Sequence, residues 1–380
     1  MCRIAFHIAL VRHRPLTSEP GLRSWIALPT SVASESLDLS RWAVVAYNDT
    51  TGLGRMAEDI KALLGVRHLV IPSERMETGA LNPSSDTLLC RDAGEAEVAS
   101  ALEGLQGIVV LETSWNKRLL PVARRLGMRV ACVPNWKWFR GSDPDWAMVD
   151  VFLCPSDFCL KVVRGYGWMN SMQLPWTVDL SRLPTRIVRG PARVFFHNGG
   201  LMDRSDRKST RATIEAFQRV RRQDICLIVR LQRPAELGPI GDRVEVRIGN
   251  LEDVSGLYAE GEVAVQPSAI EGLGFMVLEP VCCGVPTITT NCPPVSDYVM
   301  QPELRTRTRW FTGPVFPGRA FRIRNSHRHP PSVNDVTRRI EWCADHDLTA
   351  ISNENRMMAQ RMFNPDTLRA RWTHTLGGLV

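Results

Sequence analysis

The sequence lacks any apolar run that approaches the roughly 20 residues a helix needs to cross a bilayer. It contains ten cysteines but no CxxC pair and no Cys/His spacing typical of a zinc site. Several cysteines lie within apolar, strand-like segments, where a free thiol behaves as a small hydrophobic side chain. The sequence therefore predicts neither a membrane-spanning protein nor a disulfide or zinc scaffold, and it favours a reducing, cytoplasmic compartment.

A convincing signal peptide is also missing. Met1–Val11 contains a short apolar run, but His7 interrupts it and three basic residues follow without a recognisable cleavage site. The next residues are rich in Ser, Pro and Leu and show no steady periodicity. We therefore expect residues 1–40 to form a poorly ordered extension that the fold does not require.

The composition is that of a soluble globular protein, with 44% hydrophobic and 23% charged residues. These values exclude a collagen, a coiled coil and a disordered chain. Lys and Arg exceed Asp and Glu by 47 to 40, which gives a net charge of +7. This excess fits an anionic ligand, an anionic membrane surface or a nucleic acid and does not distinguish between them. A length of 380 residues favours two domains.

Short apolar runs alternate with helical segments from Arg41 onwards, and the pattern restarts after a linker at Arg186–Pro191. The predicted strands are 42–47, 68–71, 107–111, 129–133, 151–154, 193–197, 225–230, 244–248, 263–266 and 286–290. The predicted helices are 54–64, 121–126, 210–221, 253–260, 272–283, 335–343 and 353–376. This alternation predicts an α/β protein with two doubly wound, Rossmann-like domains that face a central cleft. We place these domains at residues 41–185 and 186–350, followed by C-terminal helices in 351–380 that pack back on the first domain.

The most informative segment is Pro267–Pro286, with the sequence PSAIEGLGFMVLEPVCCGVP. It predicts a strand end, two glycines and a helix start, which together offer backbone N–H groups and a positive dipole end to a diphosphate. Glu271 and Glu279 are separated by about 80° around such a helix, so both can contact one elongated ligand. On spacing alone, an ordinary strand–loop–helix with one solvated Glu is an equally good interpretation.

A basic cluster follows the first strand of the second half, within Phe196–Phe217. Arg204, Arg207 and Lys208 precede a predicted helix, where positive charge opposes the helix dipole. These cations do not stabilise the helix start, so an anionic ligand explains them better. Fixed cations of this kind could stabilise the negative charge of a departing diphosphate. The alternative is a solvated, basic helix start.

Both segments resemble the donor-binding signatures of glycosyltransferase family 4, also called glycosyltransferase group 1, whose members are retaining enzymes of the GT-B fold. The family pattern E-x7-E followed by G-V-P is matched by Glu271, Glu279 and Gly284–Pro286. The resemblance implies that Glu271 lies near the donor sugar hydroxyls and that Glu279 binds the nucleotide ribose. It also implies a diphosphate clamp of Lys208 with either Arg204 or Arg207. The donor-binding backbone would come from Gly199, Gly200, Gly272, Leu273, Gly274 and Phe275.

The first domain carries weaker candidates. The family places a glycine-rich loop after the first strand, which corresponds here to Gly52 and Gly54 in TTGLGR; a plain turn is the alternative. A full G-x-G-x-x-G fingerprint is absent, which disfavours a dinucleotide cofactor. Four residues at the carboxyl ends of two further strands are assigned to the acceptor side: Glu112, Asn135, Trp136 and Lys137. Many family members have a His near the second of these strand ends, and this sequence has none there. Trp136 is predicted either to stack on a sugar or to lie in the core.

The resemblance implies a retaining, metal-independent, hexosyltransferase-type glycosyltransferase that needs no cofactor and takes a UDP- or GDP-sugar as its donor. The acceptor is left open among a glycan, a lipid-linked sugar, a protein and another hydroxyl compound. Two alternatives are a GT-B sugar-nucleotide epimerase and a catalytically silent, nucleotide-sugar-binding scaffold subunit. The Arg-rich segment 304–329 is predicted either to bind an anionic acceptor or to be a solvated loop, and the protein is expected to be cytoplasmic, with peripheral membrane contact as an option.

Overall fold

The computed structural model describes residues 37–49, 52–73, 86–202, 205–251, 253–308 and 328–379. The predictions made for residues 1–36, for Arg204 and for most of the Arg-rich segment 304–329 lie outside these described residues. Within the described part of the chain, no helix is long and apolar enough to span a membrane.

The first domain contains a seven-stranded sheet in the order β3-β2-β1-β4-β5-β6-β7. All of its strand pairs are parallel. The strands are β1 Trp42–Tyr47, β2 Arg67–Ile71, β3 Asp86–Leu88, β4 Gly107–Leu111, β5 Arg129–Val133, β6 Val151–Cys154 and β7 Ser171–Gln173. The helices are α1 Gly52–Leu64, α2 Glu95–Ala101, α3 Leu119–Arg125 and α4 Asp157–Gly165. The central strands are almost wholly apolar because helices bury them on both faces.

The second domain contains a six-stranded, fully parallel sheet in the order β10-β9-β8-β11-β12-β13. Its strands are β8 Val194–Gly200, β9 Cys226–Leu231, β10 Val244–Ile248, β11 Val263–Gln266, β12 Thr287–Thr290 and β13 Arg305–Thr306. Its helices are α5 Thr210–Gln218, α6 Phe275–Cys283, α7 Val333–Asp345 and α8 Thr349–Met362, and α9 Pro365–Gly377 follows. The predicted fold class, two doubly wound α/β domains, is confirmed.

Some element boundaries differ from the sequence prediction. The single helix expected over 353–376 is divided into α8 and α9, because the Asn364 side chain accepts a hydrogen bond from the Thr367 amide and Pro365 starts a new helix. Helix α6 begins at Phe275 and not at Gly272, since Gly274 adopts a left-handed φ of 81°. The segment predicted as a helix at 253–260 is a short 3-10 helix, Val254–Tyr258.

Helix α9 lies against the first domain, although it follows the second domain in sequence. It packs on α1, and the Arg369 guanidinium donates a hydrogen bond of 2.8 Å to the Leu63 carbonyl. Trp372 on α9 is buried in an apolar cluster that also contains Ile60 of the first domain and Leu278 of the second. The two domains are therefore joined by a continuous core as well as by the linker.

Candidate active site

The candidate site lies where the carboxyl ends of strands from both domains meet. Trp136 follows β5, Gly272 follows β11, and the indole N–H of Trp136 donates a hydrogen bond of 2.9 Å to the Gly272 carbonyl. The ring of Phe275, at the start of α6, lies 3.7 Å from the position that a Cβ on Gly52 would occupy. The loops that carry the predicted donor site are thus in contact with loops of the first domain.

Glu271 is buried on the second-domain side of this contact. Its carboxylate accepts hydrogen bonds from the Ser268 hydroxyl at 3.1 Å and from the Arg207 guanidinium at 2.9 Å. Burial would raise the pKa of Glu271, but the positive charges of Arg207, Lys137 and Lys208 outweigh it and lower the pKa. Glu271 is therefore an ionised carboxylate that is held in place by a cation.

Lys208 lies beside the glycine turn that ends β8. Its ammonium group donates a hydrogen bond of 3.4 Å to the Asn198 carbonyl, and a Cβ on Gly200 would come within 2.9 Å of its Nζ atom. Gly200 has a φ of 60°, and a Cβ on Gly199 would lie 2.5 Å from Leu231, so both glycines are needed by the local backbone. Desolvation lowers the pKa of Lys208 to about 8, so binding of an anion would favour its charged form.

Glu279 is buried on α6, where it receives a hydrogen bond from the Tyr258 hydroxyl. Its other carboxylate oxygen lies 3.7 Å from the Arg55 guanidinium, which α1 of the first domain contributes. Burial raises the pKa of Glu279 despite the hydrogen bond from Tyr258 and the charge of Arg55. Neither Arg55 nor Tyr258 is among the residues predicted from the sequence. For Arg55, its position directly after Gly54 was the available signal.

In the predicted glycine loop of the first domain, the backbone requires a glycine at position 54. A Cβ at this position would lie 2.1 Å from the Asp49 carbonyl oxygen, so only glycine allows α1 to start this close to the end of β1. Of the donor-loop residues, Gly274 allows close packing against Val295, and Leu273 packs against the core. The remainder of the TTGLGR segment, Thr50 and Thr51, lies outside the described residues.

Three of the acceptor-side candidates, Glu112, Asn135 and Lys137, are linked by hydrogen bonds. The Asn135 amide donates a hydrogen bond of 2.6 Å to the Glu112 carboxylate, whose pKa burial raises. Glu112 has a φ of 68°, a strained conformation for a residue other than glycine. Trp136 is buried against Phe158 in an edge-to-face contact, so its ring lies in the core and is not stacked in the cleft.

Two buried carboxamides of the second domain were not predicted. Asn198 and Gln266 sit near the ends of the neighbouring strands β8 and β11, and the side-chain N and O atoms of both have no hydrogen-bond partner. Unpaired buried amides are costly and are usually satisfied by ordered water or by a ligand. Among the described residues, no group of three or more His, Cys, Asp or Glu side chains converges in a way that could hold a metal ion.

Asp59 on α1 is buried close to the contact between Arg55 and Glu279. Its carboxylate lies 3.5 Å from Arg55 and 4.0 Å from Arg182. Burial raises the pKa of Asp59 to about 7; Glu279 and Asp179 add to the increase, whereas Arg55 and Arg182 oppose it. Because this pKa is above the value of about 3.9 in an unfolded chain, folding takes up a proton between these two pH values.

This proton uptake predicts a pH-dependent stability. The contribution of Asp59 is complete below about pH 4 and is lost as the pH rises towards 7, by about 3–5 kcal/mol in total. Asp59→Asn mimics the protonated form, so its free energy of unfolding should exceed that of the wild type increasingly between pH 5 and pH 8. Urea unfolding at several pH values measures this difference, with Asp366→Asn, at an exposed position on α9, as the control. Parallel pH curves for wild type and Asp59→Asn would refute the assignment.

Comparison with known proteins shows what the second domain and the overall fold are similar to. Residues 192–308, which contain Arg207, Lys208, Glu271 and Glu279, match the family model described as "Glycosyl transferases group 1". No curated protein sequence matches the chain. The similar solved structures are GT-B glycosyltransferases, so the predicted resemblance to that class is confirmed, and the two domains form the GT-B fold.

Three of these structures illustrate the similarity. HepE from Anabaena, solved in complex with UDP and glucose, is 13% identical with a TM-score of 0.66, covering 89% of this chain and 99% of HepE. Sucrose-phosphate synthase from Thermosynechococcus elongatus is 13% identical with a TM-score of 0.58, covering 89% and 98%. The lipopolysaccharide outer core galactosyltransferase WaaB is 13% identical with a TM-score of 0.61, covering 88% and 98%. HepE has also been solved with UDP-glucose.

Proposed function

We propose that this protein is a retaining glycosyltransferase that moves a sugar from a nucleoside-diphosphate sugar to an acceptor hydroxyl. The observation that carries the proposal is the arrangement of Lys208 and Arg207 around the ionised carboxylate of Glu271, at the ends of β8 and β11. The pair of cations suits a diphosphate, and the buried carboxylate suits sugar hydroxyls. Because the similar HepE structures contain UDP or UDP-glucose, a UDP-sugar is the first donor to test.

The proposed reaction separates charge at the sugar. The bond between the sugar C1 and the diphosphate oxygen breaks, and its electron pair stays on the phosphate oxygen, where Lys208 and Arg207 stabilise it. The acceptor oxygen then forms a bond to C1 from the same face, and its proton passes to that phosphate oxygen. Glu271 orients the sugar, and Glu279 accepts hydrogen bonds from the ribose. No protein nucleophile, metal ion or cofactor is part of this proposal.

A screen of donors and acceptors tests the proposed function. UDP-glucose, UDP-galactose, UDP-N-acetylglucosamine and GDP-mannose are incubated with mixed oligosaccharides, lipid-linked sugars and peptides, and the release of UDP or GDP is measured. We expect nucleotide release that depends on an acceptor, and a product whose anomeric configuration, determined by NMR, equals that of the donor. Interconversion of free nucleotide sugars would indicate an epimerase, and binding without turnover would indicate a scaffold; either result would refute the proposal.

Replacing Glu271 and Glu279 one at a time by glutamine separates the roles proposed for the two carboxylates. Glu279→Gln keeps the shape of the side chain but removes the charge that ribose hydroxyls contact, so UDP binding should weaken by about 1.5–3 kcal/mol. Glu271→Gln should instead reduce kcat while changing the affinity for UDP little, because UDP lacks the sugar. Calorimetry with UDP and GDP, together with steady-state kinetics, measures both effects. Negligible changes for both variants would place the nucleotide elsewhere.

A further inference from the structure

We propose that Lys137 is a third cation of the donor site, supplied by the first domain, and that it contacts the diphosphate and not the acceptor. The inference rests on the proposed function and changes the role that the sequence suggested for this residue. It implies that the positive charge of the site is complete only while the two domains are in contact.

The position of Lys137 supports this role. Lys137 follows β5, is only 8% exposed, and lies against the donor loop of the second domain. A Cβ on Gly272 would come within 3.1 Å of the Lys137 Cε atom and within 2.9 Å of the Asn135 amide. Since the neighbouring Trp136 donates its hydrogen bond to Gly272, the backbone that carries Lys137 is fixed at this loop. The absence of a side chain at Gly272 therefore gives Lys137 its place beside Glu271.

The balance of charge around Glu271 points to an anionic ligand. Three cations act on this carboxylate, namely Arg207, Lys137 and Lys208. The other nearby carboxylates are Glu112, which acts on Lys137, and Glu279, which acts on Lys208 and is itself paired with Arg55. Together with Arg55, these four cations and three carboxylates leave an excess of one positive charge when all are ionised. An excess of positive charge in a largely buried site is unfavourable without an anion. A nucleoside diphosphate supplies the compensating negative charge.

The neighbours of Lys137 favour the diphosphate over the acceptor. The charges that act on Lys137 include Glu271 and Arg207, both in loops of the second domain that carry the proposed donor site. A neutral acceptor hydroxyl would compensate little of the desolvation that lowers the pKa of Lys137, whereas a phosphate oxygen would compensate much of it. A cation at this point also stabilises the charge that develops on the leaving group.

The test compares Lys137→Met, which keeps length but removes charge, with Lys137→Arg, which keeps charge. Lys161→Met is the matched control, because Lys161 lies on α4 of the same domain with 66% of its side chain exposed. Binding of UDP and GDP is measured by calorimetry, binding of uridine and guanosine by ligand-observed NMR, and transfer by kcat and KM for each substrate. We expect Lys137→Met to weaken diphosphate binding at least tenfold and to leave nucleoside binding unchanged. Lys137→Arg should stay within a few-fold of the wild type, and Lys161→Met should be unchanged.

The outcomes separate this inference from the proposed function. If the wild type binds neither UDP nor GDP, the proposed function fails and this inference fails with it. If the wild type binds and Lys137→Met binds equally well, or raises only the KM for the acceptor, Lys137 is not a donor cation. Equal losses for the nucleoside and the diphosphate would reveal a structural role and would also overturn the inference. If Lys137→Met does not fold, a loss of diphosphate binding in Lys137→Gln with unchanged nucleoside binding supports it, and unchanged diphosphate binding refutes it.

Discussion

Replacing Lys208 with alanine is expected to lower kcat/KM by about 2–4 kcal/mol in transition-state free energy, or roughly 30- to 1000-fold. The ammonium group is held at the end of β8 by the Asn198 carbonyl and the turn at Gly199–Gly200, so it is already in position before a ligand arrives. Preorganised charge of this kind acts most strongly on the charge that develops as the diphosphate leaves. The loss should therefore appear in kcat as well as in KM.

The measurement needs a donor and acceptor from the screen and a folded variant. Circular dichroism and thermal unfolding check the fold, and Lys161→Ala, at an exposed position, reports the effect of removing a remote positive charge. Because desolvation lowers the pKa of Lys208 to about 8, Lys208→Arg, whose side chain stays charged, should remain active at a pH where the wild type declines. Unchanged turnover in folded Lys208→Ala would remove this residue from the site.

Replacing Trp372 with alanine is expected to lower the free energy of unfolding by about 3–5 kcal/mol. The indole is 1% exposed on α9 and belongs to the apolar cluster that links α1 to the second domain. Its removal leaves a cavity that the surrounding helices can fill only in part, and it weakens the attachment of α9 to the first domain. Urea unfolding with fluorescence and circular dichroism measures the loss.

Met357→Ala is the matched control for Trp372→Ala, because Met357 lies on the neighbouring helix α8 and is 49% exposed. It should change the free energy of unfolding by less than about 0.5 kcal/mol. A loss below about 1 kcal/mol for Trp372→Ala would show that α9 contributes little to the joint between the domains. Separate transitions for the two domains in this variant would agree with weakened coupling.

The central strands could be predicted from sequence because a parallel strand buried on both faces is a continuous apolar run. β1, β4, β5 and β6 occupy the predicted residues. The edge strands β3, β7 and β13 contain only three, three and two residues and were not predicted. Such short segments pair because a neighbouring strand offers hydrogen-bonding groups, and nothing in their own composition encodes this.

Sequence motifs predicted three of the site residues, Glu271, Glu279 and Lys208. They lie in loops and on a helix of the second domain. Their partners across the cleft could not be derived in the same way. Trp136 and Gly272 are 136 residues apart, and their hydrogen bond exists only because two independent sheets meet. The raised pKa of Asp59 likewise depends on burial between α1 and residues far along the chain. Local patterns therefore indicate candidate site residues, and the contact between the domains contributes to the pKa values of these residues.

The path of the chain through α9 has a mechanical consequence. The polypeptide leaves the first domain at residues 186–191 and returns to it through α9. The two domains are therefore connected at two points, the linker and α9. A body held at two points opens mainly by rotation about the line that joins them, and twisting about a single flexible strand is restrained. Arg55 and Lys137 both belong to the first domain, so such a rotation would carry them together away from Glu279 and from the loop at Gly272. For the donor proposed above, entry into the cleft and assembly of the full charge around it would then be two phases of a single hinge motion.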